Sequence, residues 1–225
     1  VADIGRYTPQ TLPHIPLHPA IGIVNGLAVS GPGQGRLLEI EAVACRVRPG
    51  TGGLVVTGSV DEEHIGGSGH SMRRRSLVRS SIDNALTVLR QDSRLHIKDY
   101  EIHINFPGGA PIDGPSAGTA IAVAVFSAVT GYPCLNTVAV TGELSIHGQV
   151  KPVGGVRSKV AAAQQAGCRK VLVPKENFAE AASLQQHIAV IPVDTLEQAL
   201  QHVLGAEPWT SGELSPDISG TAPSV

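Results

Sequence analysis

Charge is thin in this chain and nearly balanced: Lys, Arg, Asp and Glu make up 16% of the residues and leave a formal net charge of −2. Such a balance provides no surface for a polyanion, so nucleic acid is not an expected partner. With 42% hydrophobic residues, disorder is excluded as the organising state. Cysteine is equally sparse. Cys45, Cys134 and Cys168 are odd in number and far apart, without metal-ligand spacing, and read as small buried hydrophobes in a reducing compartment. No apolar run reaches the ~18 residues of a bilayer span, and no basic-then-apolar leader opens the chain. A cytoplasmic, soluble protein is the expectation. No repeat of fixed period is present.

What the chain does have is enough length for a large core: 225 residues and 23.3 kDa, the size of one large domain. Residues 1–20 carry Pro9, Pro13, Pro16 and Pro19 and read as a linker; 21–204 form the domain; 205–225, rich in Pro, Ser and Gly, read as a disordered tail. His14 and His18 stand four apart, but the surrounding prolines disfavour the helix that would make them metal ligands. The first residue is Val1, as expected of a piece of a longer protein.

Periodicity predicts an α+β fold. Strands are expected at Ile21–Ser30, Arg36–Arg48 and Leu54–Val60, an antiparallel meander in which Leu38, Ile40, Ala42 and Ala44 share one face. Asp61–His70 reads as a loop and Ser71–Gln91 as an amphipathic helix with Arg73, Arg74 and Arg75 on its first turns. Tyr100–Phe106 alternates strictly and is a strand. Beyond it, strands at Thr137–Glu143, Lys170–Pro174 and Ile188–Val193 alternate with helices at Val156–Ala166, Glu176–Gln186 and Leu196–Leu204, which predicts a partly parallel sheet flanked by helices.

The centre of the sequence is Pro107–Thr130, where a Gly- and Pro-rich loop runs into an unbroken Ala/Val/Ile helix. Ser116 stands at the junction, on the helix's expected first turn, where unpaired backbone N–H groups suit an oxyanion. Gly114–Gly118 satisfies G-x-S-x-G, a pattern short enough to need a partner. Asp194 and His202 have the chain order of an α/β-hydrolase triad, but Pro107–Pro115 separate the serine from the preceding strand. Lys159 is the better partner, because Val156, Lys159, Val160 and Ala163 follow the i, i+3, i+4, i+7 stripe that faces a core. A desolvated amine there would fall from ~10.4 toward the ~7–8 useful to a general base. The competing reading is a lysine that snorkels to water.

The stretch Tyr100–Phe178 resembles the proteolytic domain of Lon proteases through DGPSAG (Asp113–Gly118), TGE (Thr141–Glu143), GQVKPVGGVRSKVAAAQQAG (Gly148–Gly167) and the following VLVPKEN. VNGLAV (Val24–Val29) and the LLEIEA strand are most similar to the LonB branch, so the resemblance covers about residues 20–204. It implies a serine endopeptidase with Ser116 as nucleophile and Lys159, 43 positions on, as general base. It further implies that Thr141 hydrogen-bonds the lysine amine, that Asp113 lies near the dyad and can hold the lysine inactive, and that Glu41 and His103 lie near the site. Lon proteases join this domain to an ATPase, yet no G-x-x-x-x-G-K-[ST] occurs here: either the ATPase has been cut away or this is a stand-alone relative, and ATP and Mg are expected only in a module outside this chain. A cytoplasmic homo-hexamer acting on unfolded or damaged proteins is implied for the parent protein, and some of the LonB branch are tethered to the cytoplasmic side of a membrane. A Lon-like ring-forming or binding module without hydrolysis is the alternative, and having both Ser116 and Lys159 weighs against it.

Overall fold

A computed structural model describes residues 15, 18–31, 33–58, 64–67, 70–73, 77–108 and 114–205. Its frame is a seven-stranded mixed sheet. In chain order the elements are β1 (Ile23–Gly31), β2 (Gln34–Arg46), β3 (Leu54–Gly58), β4 (His64–Gly67), β5 (His70–Arg73), α1 (Leu77–Gln91), β6 (Tyr100–Phe106), α2 (Gly118–Thr130), β7 (Val138–Val140), β8 (Glu143–Leu144), β9 (Val150–Lys151), α3 (Val156–Gln165), β10 (Lys170–Pro174), α4 (Phe178–Ala181), β11 (Ala189–Val193) and α5 (Leu196–Val203). The sheet runs β11-β10-β7-β1-β2-β6-β3, while β4-β5 and β8-β9 are separate hairpins. Pairing is parallel from β11 to β1, antiparallel through β2 to β6, and parallel again between β6 and β3.

Period-two alternation divides the core into two layers. Val24 of β1, Val138 and Val140 of β7 and Leu172 of β10 point to one side, where they meet Ile82 of α1, Ile121 and Phe126 of α2 and Leu200 of α5. Leu27, Ala139, Val171 and Val173 point to the other, against Val156, Val160 and Ala163 of α3 and Ala181 of α4. The central helix is α2. Every residue in it except Ala128 is buried, which is why its sequence is apolar all round. It stops at Gly131, whose left-handed φ of 77° lets its N–H reach the Ser127 carbonyl at 2.8 Å. Ahead of the domain, Ile15 is buried in the second layer and Ala20 makes a backbone bridge to Cys134.

The α+β architecture, the strand at Tyr100–Phe106 and the parallel half of the sheet match expectation. Five details do not. The third antiparallel strand is β6, not β3: β3 pairs only with β6, in parallel, because the connection through α1 returns the chain to the sheet in the same direction. The expected loop at 61–70 contains β4 and pairs with β5, so the following helix begins at Leu77 instead of Ser71 and Arg73 lies on a strand; Arg74 and Arg75 fall outside the described residues. The helix expected at 176–186 is broken into α4 and flanking 3-10 turns. Cys45 is exposed on the open face of β2, whereas Cys134 and Cys168 are buried. Ser116 lies on a 3-10 turn, Pro115–Ala117, that precedes α2.

Two glycines beside α3 differ in what they can tolerate. A Cβ on Gly35 would meet the Ser158 carbonyl oxygen at 1.9 Å and the Lys159 nitrogen at 2.8 Å, both backbone atoms, whereas one on Gly154 would meet nothing within 4 Å. Gly35→Ala is therefore expected to cost about 3 kcal/mol in denaturant unfolding, the upper range for overpacking. Gly154→Ala is expected to be near neutral, and equal losses in the two would contradict the close approach of β2 to α3.

Candidate active site

The serine turn is held where two strands part. β1 and β7 pair only at Asn25–Ala139 and Gly26–Val140, after which the chain leaves β7 at Thr141. The Ser116 turn bridges the gap: its Oγ donates to the Leu27 carbonyl at 3.5 Å, and its own carbonyl accepts from the Gly142 N–H at 3.0 Å and from Thr141 Oγ1 at 3.4 Å. Gly114 leads in with a φ of 115°, a conformation open to glycine. Gly142 is pinned from the far side, since both the N–H and the hydroxyl of Thr119 in α2 donate to its carbonyl at 3.1 and 3.0 Å. A side chain on Gly142 would strike Val150 Cγ1 at 2.5 Å. The serine thus sits at the N-terminal end of α2 and at the C-terminal ends of parallel strands, a place where open sheets leave room for a ligand.

Lys159 comes from the other layer. The apolar stripe predicted for its helix is the buried one, comprising Val156, Lys159, Val160 and Ala163, and Lys159 is 2% exposed. Its backbone lies against Gly35, which pairs with Val29 on β1, and Gly155 at the start of α3 approaches Val29 directly. Ser116 is bonded to Leu27, two residues along the same strand. Serine and lysine therefore reach one end of the β1-β2 hairpin from opposite sides of the sheet. Burial lowers the Lys159 amine from its ordinary 10.5 to about 8, opposed by the negative charge of Glu180.

Thr141 is completely buried, and its hydroxyl gives its proton to the Ser116 carbonyl. A hydroxyl has one donor and two acceptor sites, so it stays able to accept from an amine. Glu41 and His103 come together, but through residues that periodicity did not single out. On the face of β2, β6 and β3 turned away from α1 and α2, Asn105 Nδ2 donates to Glu41 at 2.7 Å, Thr57 donates to Asn105 Oδ1 at 2.9 Å, and Thr57 Oγ1 lies 2.9 Å from His103 Nε2. This network shares no hydrogen bond with Ser116 or Lys159 among the described residues. Asp113 lies outside the described residues. Asp194 is bound to exposed Lys175 at 2.8 Å and its N–H donates to Gln198 Oε1 at 2.7 Å, while Thr195 caps α5; nothing joins Asp194 to His202 among the described residues, which leaves the triad reading without a site. Among the described residues no group of acidic, His and Cys side chains is placed to hold a metal, and no helix is long and apolar enough to cross a membrane.

Leu27 and Gly35 were not visible as site residues in the sequence. Leu27 contributes a carbonyl, which any residue carries. Gly35 could have been noticed as the glycine that opens an alternating strand, a usual sign of close backbone approach.

A serine on a backbone-pinned turn and a lysine buried on an apolar stripe thus both belong to elements that meet β1. The model of the Lon protease (S16) C-terminal proteolytic domain matches residues 9–206, and the chain belongs to that family. It is 47% identical over 204 residues to Lon protease 2 of Bacillus subtilis (strain 168), covering 91% of this chain and 37% of that protein. Lon protease 1 of Thermus thermophilus is 42% identical over 178 residues, 76% of this chain and 20% of that one. The archaeal Lon protease of Archaeoglobus fulgidus is 36% identical over 189 residues, 82% and 28% respectively. The chain thus spans between a fifth and two fifths of the length of these relatives.

Holding an ammonium in this position is costly to the fold, and the sign of the effect is fixed. Between pH values of about 8 and 10.5 the unfolded chain keeps the lysine proton that the folded one has lost, so stability rises with pH through that window and the penalty is fully present below it. The displacement corresponds to about 3 kcal/mol. Lys159→Met is expected to be more stable than the native chain at neutral pH by up to that amount, with the advantage vanishing above about pH 10.5 in paired urea titrations. An advantage independent of pH would mean that the amine is not desolvated.

Proposed function

We propose that this domain hydrolyses peptide bonds with a Ser116–Lys159 dyad. The observation that carries the reading is Lys159 itself, a lysine 2% exposed with its amine lowered to about 8, on a helix that meets the same strand as Ser116. An ordinary lysine is charged at neutral pH and cannot take a proton; an amine lowered to about 8 is neutral in about a tenth of molecules at pH 7 and in more as pH rises.

The Ser116 hydroxyl turns from the Leu27 carbonyl to Lys159 Nζ and gives up its proton as Oγ attacks the peptide carbonyl carbon. Backbone N–H groups of the turn and of the glycines ahead of it stabilise the oxyanion. The C–N bond then breaks, Lys159 returns its proton to the leaving amine, and water resolves the acyl-enzyme with the lysine again as base. Thr141 accepts from the lysine amine and aims it while its own proton stays on the Ser116 carbonyl. Asp113 restrains the lysine when no substrate is present, and Glu41 and His103 serve at the border of the site. None of these steps requires a metal or cofactor. In the longer protein we propose that an ATPase module using ATP and Mg delivers unfolded or damaged proteins to a cytoplasmic homo-hexamer, the arrangement suggested by kinship with proteins named Lon protease.

Ser116→Ala and Lys159→Ala are each expected to lower hydrolysis of a fluorogenic peptide by at least about a thousandfold, with circular dichroism unchanged. Lys159→Arg is not expected to rescue, because arginine stays charged. Turnover retained in the serine variant would remove the nucleophile, and turnover retained in the lysine variant would remove the base.

A further inference from the structure

The four residues between β9 and α3, 152–155, set where the lysine helix begins. That start is held by a side chain from elsewhere. Asn177, at the end of the 3-10 turn after β10, takes both backbone groups of Val153: the Val153 N–H donates to Asn177 Oδ1 at 2.8 Å, and Asn177 Nδ2 donates to the Val153 carbonyl at 3.1 Å. A primary amide has the donor and acceptor of a peptide group, so the asparagine acts as a one-residue neighbouring strand. The same Nδ2 reaches Glu180 Oε2 at 3.5 Å. The position is fixed in turn by Val153 and Phe178, both packed against the second core layer.

We propose that Asn177 is a positioning residue for the chemistry of Ser116 and Lys159: by clamping Val153 it fixes the start of α3 and hence the side of the helix on which the lysine is carried. The proposal rests on the dyad reading given above. A helix rotates by about 100° per residue, so a slip of a single residue at its start would swing Lys159 out of the apolar stripe and into water. No capping side chain holds the first turn of α3, since its N-cap is Gly155, with a left-handed φ of 67°. The apolar stripe gives the helix its face, and the clamp gives it its starting point.

Few other charges surround the amine. Of the elements packed on α3, β1 has no ionisable side chain, β10 has Lys170 alone, β2 presents Glu39 and Glu41 on its α3-facing register, and α4 presents Glu180. Glu180 acts on Lys159 directly, while Glu39 is itself pushed up by burial and by Glu41. A change in the midpoint of activity with pH therefore reports on the surroundings of Lys159.

The test is steady-state hydrolysis of a fluorogenic peptide across a pH range of about 6 to 10, for the native chain, Asn177→Ala, Asn177→Asp and Lys159→Ala. Asn177→Asp nearly preserves shape, yet it loses the donor and turns a carboxylate toward the Val153 carbonyl. In both Asn177 variants kcat is expected to fall about tenfold with KM within about twofold, and the pH of half-maximal activity to rise by about one unit as the lysine gains water. Partial unfolding alone would lower the amount of active protein without moving that midpoint. Midpoints equal to the native one would overturn the proposal, and if Asn177→Ala fails to fold, Asn177→Asp decides alone. Activity persisting in Lys159→Ala would instead defeat the dyad reading, so the two failures are distinguishable.

Discussion

An amine kept out of water sets the terms for the rest of this fold. Desolvating one lysine opposes folding by about 3 kcal/mol, a sizeable part of the net stability of a domain. The surrounding structure offsets it with two apolar layers on either side of a single sheet. On the lysine side, close contact of α3 with β2 requires glycine at position 35, where a larger residue would strike the α3 backbone, and the left-handed φ of 67° favours glycine at position 155. Those glycines and the alanines of α3 let the helix lie low enough that water is excluded from the lysine stem.

The serine side solves a different problem, that of keeping a half-buried hydroxyl rigid at the edge of the fold. Parallel strands β1 and β7 separate after two residue pairs, and the opening is filled by a turn whose polar atoms are held by backbone from both sides. The central helix behind it is buried almost throughout and cannot shift without disturbing the first core layer. Rigid helix, pinned turn and split sheet together place a hydroxyl at the end of a helix, where backbone N–H groups point outward.

Much of this was legible from periodicity, and the reasons for the rest are specific. The stripe Val156, Lys159, Val160, Ala163 announced itself because a charged residue at a buried helical position is rare, and the same spacing put Ser116 at a loop-to-helix junction. Strands Tyr100–Phe106 and Lys170–Pro174 were found to the residue. Alternation says which face a residue takes but not which strand lies beside it, so the parallel partnership of β3 with β6 was invisible. The β4-β5 hairpin is rich in glycine and lacks an alternating signature, and it resembled a loop. The segment 176–186 has helix-forming residues, but its apolar anchors Phe178, Ala181 and Leu184 pack inward from short turns, while Asn177 is diverted to Val153. The gap between β1 and β7 had no local signal, since it arises from pairing between segments more than a hundred residues apart.

That separation has a temporal corollary. The groups that hold Ser116 come from positions 27, 141 and 142, and the lysine lies further on at 159, so a ribosome must release nearly the whole domain before they can meet. Assembly from such distant pieces is slow compared with helix formation. Until it finishes, the lysine is hydrated and protonated and the serine is an ordinary alcohol. The chemistry proposed for Ser116 and Lys159 is thereby withheld from a chain that is still unfolded.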